Sequence, residues 1–90
     1  MSGVDYRLAC IDGEAKGRSI AIRQEDLPTV ARFLRASLDW ALASAAEEVS
    51  HAPGQLAFVE YREAMGQMLA RGVFGSKYEA RSAWALVEAA

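Results

Sequence analysis

Apolar and polar side chains alternate at the start of the chain. In VDYRLACI, Val4 to Ile11, the apolar positions Val4, Tyr6, Leu8 and Cys10 are separated by Asp5, Arg7 and Ala9. A period of two sends one set inward and the other outward, which predicts a half-buried strand. RSIAIR, Arg18 to Arg23, repeats the pattern with Ile20 and Ile22 inward, and the polar DGEAKG between them carries Gly13 and Gly17 for a turn. A β-hairpin over about residues 4–23 follows. Two strands alone are marginal in water, so the ribbon must lie on helices or on a second chain.

From Glu25 the period becomes helical. Glu25 and Asp26 suit the positive start of a helix, and Pro28 is tolerated there because the first amides have no partners. Leu27, Ala31, Leu34, Leu38, Ala41 and Ala45 follow a 4-3-4-3-4 spacing, the seam of a helix over 25–49 packed lengthwise on another. Phe33 and Trp40, seven apart, form a second apolar line, and a helix apolar on two sides needs two neighbours. SHAPGQ, with Pro53 and Gly54, predicts a linker over 50–55. A second helix is expected over 56–71, with Phe58, Tyr61, Met65, Met68 and Leu69 on a broad face.

RGVFGSKYEAR, Arg71 to Arg81, reads as a corner between helices. Gly72 suits the left-handed position after a helix, with Val73 touching Met68 or Leu69. Ser76 and Glu79 form a capping box for a last helix over 76–89. The expected fold is one α+β domain over residues 1–90. It has an N-terminal two-stranded antiparallel β-hairpin packed on a long helix followed by two shorter helices, and is mostly helical.

Composition narrows the function. A domain of 90 residues is near the size at which folding buries only about 60% of the surface the unfolded chain exposes, so a partner surface matters for stability. Eighteen residues are Ala, which leaves few large side chains for the core. The net charge of -2 gives neither a polybasic footprint for nucleic acid nor an acidic tail. No apolar run approaches the roughly 18 residues that span a bilayer, and MSGVDYRLAC has no secretory pattern, so no membrane contact and a cytoplasmic location are expected.

Reactive groups are few. The chain has one Cys, Cys10, and one His, His51, so one copy can form neither a disulfide nor a Cys/His zinc site. Cys10 falls on the apolar side of a strand, where a thiol is usually inert, and His51 falls in the linker. Glu25-Asp26 and Glu47-Glu48 are adjacent pairs, and neighbours on a helix point about 100° apart rather than at one substrate atom. GEAKG lacks the spacing of a phosphate loop, and no catalytic motif occurs. The sequence points to a protein that is not an enzyme and needs no cofactor or metal.

From Gly72, GVFGSKYEA resembles the turn between the two helices of ribbon-helix-helix antitoxins and repressors, with a Gly, an aromatic, a Ser cap and a Glu in that order. The resemblance covers about a dozen residues and implies DNA binding by a strand ahead of the first helix. At the matching place HAPGQLA carries Pro53 and Gly54, a poor strand, and Arg81 and Ser82 stand where that family's second helix has apolar core.

The best-supported expectation is a small non-enzymatic interaction module, an adaptor, inhibitor or regulator that binds another protein as a homodimer. Aromatics and Arg make binding hot spots, which nominates Phe33, Trp40, Tyr61, Trp84 and Arg35 as contact residues. The alternative is a DNA-binding regulator that contacts phosphates through Arg18, Arg23, Arg71, Lys77 and Arg81.

Overall fold

The computed structural model describes residues 5–46 and 52–89. Strands β1 (Asp5–Asp12) and β2 (Ser19–Ile22) form the expected antiparallel hairpin, with Leu8 opposite Ile20 and Tyr6 opposite Ile22. Leu8 and Cys10 are buried, and Ile20 and Ile22 pack against the core, as the alternation requires. A 3-10 turn, Gln24–Asp26, leads into helix α1 (Leu27–Ala45). Helix α2 (Ala52–Ala70) follows, then the single turn α3 (Lys77–Ala80) and strand β3 (Ala83–Ala89). The fold is α+β, with a three-stranded antiparallel sheet in the order β2-β1-β3.

Strand β3 corrects the last-helix expectation. Only Lys77–Ala80 is helical, and the chain then pairs along β1, with Trp84 opposite Cys10 and Leu86 opposite Leu8. AWALVEA is rich in good helix formers, but Trp84 and Leu86 also alternate with Ala83, Ala85 and Val87. Pairing with β1 satisfies the backbone groups on that side and puts Trp84, 8% exposed, on the core, so tertiary context overrides local preference.

The linker is corrected as well. Residues 52–55 are the first turn of α2, where Pro53 removes only an amide that has no partner within the helix. Residues 47–51, and with them His51 and the expected end of the first helix, lie outside the described residues.

The side of α1 that faces inward also differs. Val30, Phe33, Ala36 and Ala43 are buried, whereas the proposed seam residues Ala31, Leu38, Ala41 and Ala45 are exposed, Leu38 to 54%. The period was readable, but two apolar stripes shared it, and the Phe33 line is the one the sheet and α2 cover. Lower-numbered residues of α1 meet higher-numbered ones of α2, Phe33 against Tyr61 and Trp40 against Phe58, so the helices form an antiparallel hairpin. Buried Ala36, Ala43, Ala57 and Ala64 stand in two pairs seven apart, and their small side chains let the backbones approach closely.

The corner at Arg71 is the expected one. Gly72 has φ 75°, its amide donates to the Leu69 carbonyl at 3.1 Å, and the Val73 amide donates to the Met68 carbonyl at 2.9 Å. These are the two bonds of a Schellman cap. Ser76 caps α3 by accepting from the Glu79 amide at 3.3 Å. The Glu79 carboxylate accepts from the Gly75 amide at 3.0 Å, one residue ahead of the amide a standard capping box uses. Val73 and Phe74 are buried, and Phe74 packs edge-on to Phe33 and tilted against Trp84 at 5.3 and 5.2 Å between ring centres.

Candidate functional site

The sheet covers only part of the helical hairpin. Beside the foot of β3, where Ser82 and Ala83 stand, a groove of about 820 Å³ opens between the helices and the α3 corner. Its floor is apolar by construction. On α2 a helical spacing carries Phe58, Tyr61, Met65 and Leu69 along one side, and α1 contributes Trp40 and Ala41. Trp40 and Phe58 lie 4.9 Å apart between ring centres, and Phe58 is 40% exposed.

The rim is cationic. Arg62 from α2 lies over the Phe58 ring at 5.6 Å, and α3 with its following residue supplies Lys77 and Arg81. Among the described residues no carboxylate lines the groove. Elsewhere on the hairpin the cations are met by acids of the same chain, Arg32 by Glu63 at 3.6 Å and Arg35 by Asp39 at 3.5 Å. Among the described residues none of Arg62, Lys77 and Arg81 is in an ion pair. Burial raises the Tyr61 pKa, an effect partly opposed by the charge of Arg81, so its phenol is neutral at ordinary pH. Ser37 and Ser82 also line the groove, but the Ser37 hydroxyl is itself buried, with no hydrogen-bond partner among the described residues.

Two of the five nominated contact residues, Trp40 and Tyr61, come together here. Phe33, 1% exposed, and Trp84 are core residues, and Arg35 sits on α1 paired with Asp39. Of the five basic residues nominated for DNA, Lys77 and Arg81 line the groove, and the other three, though partly exposed, are in ion pairs with acids of the same chain. Arg18 pairs with Glu79. Arg23 and Arg71 both bind Asp26, at 2.8 and 2.5 Å. Asp26 is 2% exposed, and the Arg71 hydrogen bond, with the help of Arg23, holds its carboxyl below the usual range against the effect of burial.

The sequence did not mark Phe58, Arg62 and Met65 as site residues. The spacing of Phe58, Tyr61, Met65 and Leu69 placed them on one face, but whether that face was covered depended on the course of the chain after α3, where β3 begins at Ala83. Cys10 is buried, and its thiol donates to the Asp12 carbonyl at 3.3 Å. Among the described residues no three His, Cys, Asp or Glu side chains are grouped to hold a metal ion, and no helix is long and apolar enough to cross a membrane. Compared with known proteins, the chain matches no family model, no curated protein sequence and no solved structure.

Proposed function

We propose that the chain is a small non-enzymatic protein-interaction module, a regulator, adaptor or inhibitor that works by holding a partner protein. The observation that carries this reading is the groove, an aromatic floor at the surface edged by three cations that, among the described residues, are in no ion pair. Partly exposed aromatics beside Arg are the residues that dominate binding energies at protein interfaces. Three of the five basic residues of the DNA reading are held in ion pairs within the fold, which favours a protein partner.

The module acts as a homodimer, joined along the stripe of α1 that the core leaves out. Leu38, from the 4-3-4 spacing, and Leu42, one turn further on, are 54 and 59% exposed there, and an apolar strip of that kind suits a self-complementary helix pair. Light scattering on the eluting protein tests this part, with a dimer expected for the native chain and a monomer for Leu38→Glu with Leu42→Glu.

Partner binding is tested by placing a photocrosslinking residue at position 58 and a control at exposed Glu25, which does not line the groove, in native-host lysate. The expected result is one polypeptide captured at position 58 alone that, once purified, rebinds the native chain. No position-specific capture, or a captured protein that does not rebind, would count against the reading.

A further inference from the structure

The chemistry of the groove specifies what fits it. Backbone groups along its α1 and α2 walls are already bonded within those helices, and of the edge strand β3 only the first residue, Ala83, is among the described lining residues, so along the floor an occupant finds no ladder of free amides and carbonyls to pair with. An extended peptide would leave its own backbone unsatisfied there. A helix brings its hydrogen bonds with it and presents only side chains. The floor runs from Phe58 to Leu69, about 16 Å at 1.5 Å per residue, or about three helical turns. Charge selects further, because among the described residues three cations in no ion pair edge an apolar strip that no carboxylate lines, Arg62 over the Phe58 ring and Arg81 over the Tyr78 ring.

We propose that the groove binds an acidic amphipathic helix of about three turns, its apolar stripe on Trp40, Phe58 and Tyr61 and its flanking carboxylates on Arg62, Lys77 and Arg81. This rests on the interaction-module reading and names the partner's chemistry. Arg62 stands over Phe58, so a carboxylate there meets a guanidinium held against the floor. Arg81 acts on Tyr61 from the α3 side, so charge reaches both walls.

The test is a selection from a displayed library of randomised 14-residue helix-forming peptides on the immobilised native chain. Enriched peptides should carry apolar residues at i, i+3 or i+4, and i+7 with an excess of Asp and Glu. Their affinity should fall at least tenfold for Arg62→Glu with Arg81→Glu, shown by circular dichroism to be folded, and tenfold for Phe58→Ala. Enriched peptides that are neutral or basic, or that bind the charge-reversed variant equally well, would overturn the acidic-helix proposal and leave the module reading standing. A folded native chain that enriches nothing above bare matrix would remove both. Two other occupants would also overturn the proposal: a second copy, seen as a native dimer that the same charge reversal dissolves, and nucleic acid, seen as duplex DNA retained by the native chain and lost in that variant.

Discussion

The Asp26 carboxylate accepts from the Arg71 guanidinium at 2.5 Å although the residues are 45 positions apart. Arg23 donates to the other Asp26 oxygen at 2.8 Å and to the Arg71 carbonyl at 3.3 Å. One buried acid therefore fastens the exit of the β-hairpin to the capped end of α2.

Because the folded pKa of Asp26 lies below its ordinary value of 3.8, its contribution is fully present above that pH and is lost as pH falls through the lower, folded value. Asp26→Asn should lower the melting temperature at pH 7, and the gap to the native chain should narrow as the pH falls below 3.8. Asp39→Asn, on a half-exposed acid, should change it little. Thermal melts from pH 7 to pH 2 check both.

Gly13 and Gly72 share positive φ, 105° and 75°, but differ in surroundings. A Cβ at Gly72 meets nothing within 4 Å, so Gly72→Ala should cost only the left-handed backbone penalty of about 1–2 kcal/mol. A Cβ at Gly13 would lie 2.8 Å from the Ser82 Oγ and 3.0 Å from its Cα, and that hydroxyl accepts from the Ala15 amide. Gly13→Ala should therefore cost clearly more than Gly72→Ala in urea melts.

Ser76→Ala removes the cap of α3 and should cost about 1 kcal/mol. Shortening Glu79 to Ala should have a larger effect in the same melts, since Glu79 also accepts from Gly75 and pairs with Arg18.

Strand β3 can be separated from a helix by propensity. Glu88 is exposed and lies opposite Tyr6 in the ladder. Glu88→Thr should leave stability unchanged or raise it by up to about 1 kcal/mol in a strand, whereas in a helix it would lower stability by a few tenths. Trp84→Ala should cost about 3–5 kcal/mol, enough to unfold much of a domain this small.

The hairpin and the corner at Arg71 were legible because their signals are local: alternation in Val4 to Ile11, a Gly after a helix, a Ser three residues before a Glu. Strand β3 was hidden because Ala, Leu and Glu favour a helix and the edge of β1 that overrides them is more than seventy residues away. The phase of α1 failed for a related reason, since Leu34 with Leu38 and Phe33 with Trp40 are equally helical stripes and only the sheet chooses between them. Asp26 looked like a first-turn acid, and nothing near it in sequence announced Arg71. At the groove, Trp40 and Tyr61 were legible as aromatics, but Arg62 and Phe58 became site residues only through the course of the chain after α3, which leaves their face of α2 open.

The central claim is that the groove around Phe58 is the working surface, and its most direct measurement is calorimetric titration of the crosslinked and purified partner into the native chain and Phe58→Glu. Hot-spot losses of at least about 2 kcal/mol predict binding weaker by about thirtyfold or more for Phe58→Glu, with an unchanged circular dichroism spectrum. A dissociation constant within twofold of the native value would place the partner on another surface and contradict the claim.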